Sequence, residues 1–308
     1  YFSHAWRRGS PPIFWGTDAT LFTTKNIVNK ERNEMSSYGK THFYFLQDIF
    51  VRFDVKKCHV ISLLKNDGSE KDINDAYEES VTKLNLNFQQ FHSRMNENEN
   101  DDDDDDDNGD DFFKIVFTRF NFDEIESDHV INHFIRQMID EIQSIQFTQI
   151  DFNEGENFEC KKHQNIIYRF NCADSLDRTN VTSFALGVML TSKYANDHAP
   201  SFRKSSSSSW TDPFNYLHSS VINFLCKIFT KSGDIASKMY ANTSANRSYL
   251  IKNFFIPDKN DDDIEINNDV VNIVWRQINS VIFDKKRQEM IFEWLNSESF
   301  RRKRFILD

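Results

Sequence analysis

The chain has 308 residues, of which 39% are hydrophobic and 14% aromatic, and its 30 Phe supply much of the apolar mass. This composition excludes a disordered tail and a fibrous protein and predicts a globular core. The length allows one sizeable core or two small ones, and our working hypothesis is one main domain. The formal net charge of -11 argues against nucleic acid as a partner, although nine of these charges lie within residues 101–111 and leave about -2 for the rest of the chain.

Runs of apolar and β-branched residues predict the secondary structure along the chain. Strands are expected at residues 58–64, 113–117 and 165–170, and a turn at 66–68 follows the first of them. Helices are expected at 73–84 and 129–147, in one or two segments after Pro213, and at 270–294. Because strands alternate with helices, we predict an α/β fold with a mostly parallel central sheet flanked by helices.

Two segments between these elements have the composition of surface loops. Residues 96–111 are acidic and nearly devoid of apolar side chains, so burial cannot offset the entropy that ordering would cost. We therefore expect a disordered acidic loop there, and a second, Ser-rich loop at residues 201–212.

The cysteines and the hydropathy of the chain indicate in which cellular compartment the protein is expected. Four cysteines are widely separated without a CxxC pair, which favours neither a disulfide framework nor a zinc cluster and fits a reducing, cytosolic compartment. They are Cys58, Cys160, Cys172 and Cys226. No stretch approaches the roughly 18 apolar residues that span a bilayer, so we expect no transmembrane segment and only peripheral contact with membranes.

Sequence motifs for metals and nucleotides are missing. His129 and His133 have the helical spacing of zinc ligands, but no third ligand is evident. The chain has neither a Walker phosphate loop nor a dinucleotide-binding glycine pattern. We expect neither a metal ion nor a cofactor.

The segment that predicts chemistry is a Cys-x5-Arg-Thr loop, Cys172 to Thr179, between a predicted strand and an apolar helix. A loop of this length wraps its backbone N–H groups around one phosphoryl group, and the positive end of the following helix faces the anion. The same field is expected to lower the pKa of Cys172, so that a thiolate is the nucleophile. The planar fork of Arg178 can bind two phosphoryl oxygens at once.

The context of the loop makes this interpretation stronger than a bare Cys-x5-Arg match, because the loop also contains two carboxylates, Asp174 and Asp177. One of them must protonate the leaving oxygen, and we favour Asp174, because the adjacent guanidinium of Arg178 favours the charged form of Asp177. Asp177 would then orient the loop or activate water, and the alternative for either carboxylate is to cap the helix. The other residues expected to bind the phosphoryl group are Asn171, Ala173, Ser175, Leu176, Thr179 and Asn180. The alternative for Cys172 itself is an ordinary buried thiol.

Three segments of the chain resemble a known family. RFNCADSLDRTN at residues 169–180 resembles the catalytic signature RxNCxDxLDRTN of the Sac-domain phosphoinositide phosphatases. Residues 8–15 resemble the upstream RGSxPxxW segment of that family, and residues 232–243 resemble its downstream GDxISxxYxxT segment. The residues of the first two segments are most similar to those of the large plant-type Sac proteins.

The chain departs from the family pattern in two respects. Ser175 stands where many members carry a second cysteine, so no neighbouring thiol is available to protect an oxidised Cys172 as a disulfide. The sequence also opens inside the pattern, so we interpret residues 1–308 as a fragment of a Sac catalytic domain without the amino-terminal Sac subdomain. Other domains of a longer protein are therefore potential partners.

The resemblance implies a cysteine-phosphatase-like fold and a phosphoinositide phosphatase that works through a cysteinyl-phosphate. Its partner would be a phosphoinositide lipid at the cytosolic face of a membrane. One alternative is a non-catalytic phosphoinositide-binding module within a larger scaffold. A protein-tyrosine phosphatase is a third possibility, but such loops usually carry His before the cysteine, where this chain has Asn171.

Overall fold

A computed structural model describes residues 1–19, 24–29, 55–96, 113–125, 129–152, 158–204 and 208–254. The strands of this part of the chain are β1 Phe2–Ser3, β2 Trp6–Gly9, β3 Trp15–Ala19, β4 Thr24–Val28, β5 Lys57–Ser62, β6 Lys114–Arg119, β7 Thr148–Phe152, β8 Phe158–Lys162 and β9 Ile166–Asn171. The helices are α1 Gly68–Asn96, α2 Val130–Gln143, α3 Asp177–Asp197, α4 Pro213–Tyr216, α5 Ser219–Ala241 and α6 Ser248–Lys252, with a 3-10 turn at Pro200–Phe202.

The central sheet has four strands in the order β2-β9-β5-β6, and every pair in it is parallel. This confirms the predicted α/β class with a parallel sheet. The register places the last residues of the strands side by side, since Asn171 lies opposite both Gly9 and Ser62, and Ser62 lies opposite Arg119. All four strands therefore deliver the segments that follow them to one edge of the sheet, where open α/β sheets bind ligands.

Helices cover both faces of the central sheet. The adjacent residues Val60 and Ile61 of β5 belong to two separate hydrophobic clusters, because successive side chains of a strand point to opposite faces. Val60 packs in the cluster of α1, which contains Tyr77, and Ile61 packs in the cluster of α2 and α3, which contains Phe134. Burial on both faces explains why all six residues of β9 are buried.

Two smaller sheets lie outside this layer. Strands β1, β7 and β8 form an antiparallel sheet in the order β1-β7-β8, and β3 pairs with β4 in an antiparallel hairpin.

The predicted strands at 58–64, 113–117 and 165–170 are confirmed as β5, β6 and β9, each shifted by one or two residues at its ends. The predicted helix at 73–84 is the middle of the longer α1. Helix α2 ends at Gln143, before the predicted end at Phe147. The side chain of Asn165 explains this, because it accepts the Gln146 N–H at 2.9 Å and donates to the Ser144 carbonyl at 3.0 Å, and so ends the helix.

The region after Pro213 forms α4 and α5, as predicted, but α5 buries a different face from the one its large apolar residues suggest. Its buried face carries small and medium residues such as Cys226 and Gly233, whereas Phe224 remains 62% exposed. The small face lets α5 approach α3 closely.

Some predictions fall on parts of the chain that the structure does not describe. The acidic segment from residue 97 to 111, residues 205–207 of the Ser-rich segment and the predicted helix at 270–294 lie outside the described residues. Within the described ranges, no helix combines the length and the hydropathy that crossing a bilayer requires.

Replacing Gly233 with Ala tests the close contact between α5 and α3. An added Cβ would lie 2.5 Å from the side-chain nitrogen of Asn180, which is fixed by a 2.9 Å bond to the Phe229 carbonyl. We expect the free energy of unfolding in urea to fall by about 1–2 kcal/mol, because overpacking outweighs the gain in helix propensity. Gly16→Ala is the matched control, since its Cβ meets no described atom within 4 Å. Equal stability of the two variants would mean that Asn180 yields freely.

Candidate active site

The predicted phosphate loop lies at the carboxyl edge of the central sheet, between the end of β9 and the start of α3 at Asp177. Residues at the end of β2 hold it from one side. The hydroxyl of Ser10 donates to the Ala173 carbonyl at 2.8 Å, and the guanidinium of Arg8 donates to the Leu176 carbonyl at 3.1 Å and to the Ser175 carbonyl. Arg8 is therefore part of the support of the loop.

These bonds also orient the loop amides. A trans peptide holds its C=O and N–H on opposite sides, so carbonyls turned toward Arg8 and Ser10 direct the N–H groups of Asp174 and Asp177 the other way. Ser175 adopts a left-handed conformation, with φ of 57°, which tightens the curl of the backbone. The loop thus has the curvature that an anion cradle needs.

Cys172 is fully buried, and its sulfur has two polar neighbours. The thiol donates to Oδ1 of Asp174 at 3.3 Å, and Oγ1 of Thr179 lies 3.1 Å from the sulfur. Burial raises the pKa of Cys172 to about 11, and the carboxylate of Asp174 adds to this, whereas Arg178 and Thr179 act in the opposite direction. The pKa shift is opposite to the lowering that the loop field led us to expect, because the sequence does not reveal that the thiol is cut off from water.

Asp174 connects Cys172 with the cavity. Its Oδ1 accepts the Cys172 thiol and also the backbone N–H of Leu176 at 3.0 Å. Asp174 and Asp177 both line a cavity of about 550 Å³ at this edge of the sheet. Asp177 is also the first residue of α3, where a negative charge complements the helix dipole.

Arg178 lies at the same cavity, and its guanidinium is held by Glu70. Nη1 and Nη2 donate to the two carboxylate oxygens of Glu70, each at 2.7 Å, and Nη1 also donates to the Leu63 carbonyl at 2.9 Å. Burial disfavours the charge of Arg178, but the bonds to Glu70 outweigh it and raise its pKa above the ordinary value. Arg178 is therefore a fixed, permanently charged donor.

Three other residues that were predicted to bind the phosphoryl group make hydrogen bonds within the protein. The side-chain amide of Asn171 donates hydrogen bonds to the Gly9 and Ser10 carbonyls and accepts one from the Tyr77 hydroxyl. It therefore joins the end of β9 to β2 and to α1. Asn180 faces α5. Thr179 points to the sulfur. The structure thus brings Asp174, Asp177 and Arg178 together at the cavity and places Asn171, Thr179 and Asn180 behind it.

The cavity is also lined by residues that the sequence analysis did not single out, namely Lys65, Asp123, Asn246, Arg247 and Tyr249. Glu70 was missed as well. Lys65 and Glu70 follow β5, and Asp123 follows β6, so each comes after the carboxyl end of a predicted parallel strand. That position was a usable signal.

Comparison with known proteins connects the chain with one family. Residues 1–126 match the family profile of the SacI homology domain, a range that ends before Cys172. The chain is 26% identical over 250 residues to the polyphosphatidylinositol phosphatase INP53 of Saccharomyces cerevisiae, covering 78% of this chain and 18% of that protein. It is 22% identical over 250 residues to the phosphatidylinositol-3-phosphatase SAC1 of the same yeast, covering 79% and 33%.

A third relative covers more of the chain. It is an uncharacterized protein of Schizosaccharomyces pombe, 24% identical over 295 residues, which are 94% of this chain and 41% of that protein. The chain therefore spans less than half the length of each of these three relatives.

Two substitutions should move the pKa of Cys172 in opposite directions. Asp174→Asn removes the charge that raises this pKa and should lower it, whereas Thr179→Val removes a hydroxyl that lowers it and should raise it. Iodoacetamide reacts with the thiolate. It should therefore label Cys172 faster in Asp174→Asn than in the wild-type protein, and more slowly in Thr179→Val. At a pH below the pKa, the rate should change by roughly tenfold for each unit by which the pKa moves. Timed labelling followed by peptide mass spectrometry measures both rates.

The exposed Cys160 is the internal control for these rates, because its labelling should be equal in all three proteins. A shift of Cys172 in the same direction in both variants would contradict the electrostatic account of its pKa.

Proposed function

Because the chain carries a SacI homology domain and is distantly similar to Sac-family polyphosphoinositide phosphatases, we propose that it removes a phosphate from the inositol ring of a membrane phosphoinositide. The observation that carries the proposal is the meeting of Asp174, Asp177 and Arg178 at one cavity, with Cys172 bonded to Asp174 behind it. A nucleophile, two proton carriers and a fixed cation are the groups that metal-independent phosphoryl transfer through cysteine uses.

The bond between Cys172 and Asp174 supplies the first proton transfer. When the phosphate binds, the thiol proton moves along this hydrogen bond onto the carboxylate of Asp174. The thiolate then attacks phosphorus, the bond from phosphorus to the inositol oxygen breaks, and Asp174 gives its proton to that oxygen. The products of this step are a neutral inositol hydroxyl and a cysteinyl-phosphate.

Hydrolysis restores the enzyme. Asp177, at the cavity, takes a proton from water, and the oxygen of that water attacks phosphorus as the bond between sulfur and phosphorus breaks. The sulfur leaves as a thiolate, inorganic phosphate is released, and the proton held by Asp177 returns to the sulfur through solvent. No net proton is gained or lost by the protein.

Arg178 provides the charge that stabilises the transferring phosphoryl group. A guanidinium has five N–H groups, and the bonds to Glu70 and Leu63 account for three of them. The two that remain, Nε–H and the second N–H of Nη2, lie along one edge of the guanidinium and can bind two phosphoryl oxygens. Glu70 is then a positioning residue, which fixes the edge that Arg178 turns toward the substrate.

One observation favours the rival function, a non-catalytic phosphoinositide-binding module. Full burial raises the pKa of Cys172 to about 11 and so favours the thiol over the thiolate. A binding module needs only Arg178 and the loop amides, so turnover has to be measured. In both cases the partner is a phosphoinositide at the surface of a membrane, and we place the protein peripherally on the cytosolic face.

The decisive test is phosphate release from phosphoinositide vesicles, soluble inositol phosphates and a phosphotyrosine peptide. We expect release from the inositol substrates and little from the peptide. Cys172→Ser should reduce release to under about 1% of wild type, because an alcohol is a far poorer nucleophile at neutral pH, while vesicle binding persists. Binding without release by the wild-type protein would establish the rival function, and preferred release from the peptide would establish a protein-tyrosine phosphatase.

The assignment of the acid is tested with two leaving groups. An activated aryl phosphate departs without a proton, whereas inositol needs one. Asp174→Asn should therefore reduce the pre-steady-state release of inositol by about 100-fold or more. It should largely spare the burst of aryl alcohol, because the substitution also lowers the pKa of Cys172 and the thiolate then forms without this carboxylate. Asp177→Asn should reduce steady-state turnover of both substrates and spare both bursts. If only Asp177→Asn lost the inositol burst selectively, the two roles would have to be exchanged.

A further inference from the structure

The cavity contains two further cations that share one carboxylate. Oδ1 of Asp123 lies 2.5 Å from Nη2 of Arg247, and its Oδ2 lies 3.6 Å from Nζ of Lys65. The same Oδ2 is 3.8 Å from Nη1 of Arg178. Asp123 thus stands between the guanidinium that we assign to the transferred phosphate and a second pair of positive charges.

Arg247 reaches this position through a strained backbone. It lies just before α6 with φ of 62°, a conformation that is uncommon for residues other than glycine. A hydrogen bond stabilises this turn, because the side chain of Asp234 accepts the Ala245 N–H at 2.9 Å. The guanidinium of Arg247 lies over the ring of Phe122, with its carbon 4.9 Å from the ring centre. Strain that the surroundings maintain at a cavity is typical of ligand-binding sites.

Lys65 has donor capacity to spare. Its ammonium carries three N–H donors. Within the described part of the chain, its contact with Asp123 at 3.6 Å is too long for a hydrogen bond. Lys65 lines the cavity, and its side chain has a relative exposure of 49%. An incoming anion can bind Lys65 without breaking a hydrogen bond to the protein.

The geometry points to a second anion subsite, formed by Lys65 and Arg247, that binds a second phosphate of the ligand whose first phosphate lies at Arg178. This inference rests on the proposed function, because Arg178 defines the first position. Arg178, Lys65 and Arg247 each lie within 4 Å of the carboxylate of Asp123, so two phosphates of one small ligand can reach both sets of cations. The second phosphate is either another ring monophosphate or the diester phosphate that links the ring to glycerol.

Asp123 has a defined part in this subsite. Burial disfavours its charge, but its bond to Arg247 and the nearby cations outweigh burial and lower its pKa, so it stays ionised. It therefore holds Arg247 and Lys65 together and reduces their net charge. A ligand with a single phosphate does not reach the pair, whereas a ligand with two phosphates gains charge-assisted hydrogen bonds there.

The test compares ligands with one and two phosphates. The probes are an aryl phosphate, inositol monophosphate, inositol bisphosphate, and glycerophosphoinositol with one ring phosphate. The readout is the ratio of kcat/KM for each two-phosphate ligand to that for inositol monophosphate. Arg247→Met and Lys65→Met should each lower this ratio by about tenfold, the effect of losing roughly one charge-assisted hydrogen bond. The matched control is Lys238→Met, because Lys238 is an exposed lysine of α5 that does not line the cavity.

The two-phosphate ligand whose ratio falls identifies the source of the second phosphate. If both variants lower kcat/KM for all ligands equally, the two cations are structural and the subsite is wrong. Two variants are used because Arg247 also holds Asp123, and thermal unfolding shows whether either variant is destabilised.

The same ligands are also titrated calorimetrically into Cys172→Ser protein with and without Arg247→Met. This readout needs no turnover. If the wild-type protein hydrolyses nothing but Arg247→Met still weakens binding of the two-phosphate ligands selectively, the subsite stands and the phosphatase proposal fails. Equal affinity for one-phosphate and two-phosphate ligands, with and without Arg247, would overturn the subsite.

Discussion

The ion pair between Arg178 and Glu70 is the interaction on which the rest of the site depends. It joins the first turns of α3 and α1, and the bond from Arg178 to the Leu63 carbonyl adds the segment after β5. A buried pair contributes little to stability on balance, because desolvation offsets the attraction between the charges. Its value lies in orientation, since an arginine bound at two carboxylate oxygens has one direction left in which to bind a phosphate.

Burial of the nucleophile has a cost and a use. It favours the thiol of Cys172 over the thiolate, which slows attack and also protects the sulfur from oxidation, in a loop where Ser175 offers no second thiol. The use is that the proton needed by the leaving oxygen is already bound beside Asp174. Activation then depends on the arrival of an anion, so the site holds a thiolate only when a phosphate is present to be attacked.

The sequence was sufficient for the parts of the fold that follow from local patterns. Strands β5, β6 and β9 are continuous apolar runs, and the loop from Cys172 to Arg178 can be recognised by its spacing, so the parallel sheet and the residues at its edge were predictable. Glu70 and Asp123 follow predicted parallel strands, so their place near this edge was open to prediction. Arg247 was not predictable, because it comes from a distant segment that the turn before α6 brings to the cavity. The direction of the Cys172 pKa shift was wrong for a related reason, since burial is a tertiary property.

The two ends of the cavity impose opposite electrostatic requirements. Near Cys172, the proton that the leaving oxygen needs is held on the thiol, and additional cations would favour its loss to solvent. At the other end, a second phosphate needs positive charge. Asp123 meets both requirements, because it neutralises part of the charge of Lys65 and Arg247 and lies between them and Arg178. A single carboxylate can thus keep cations that select the substrate from disturbing the proton chemistry of the nucleophile.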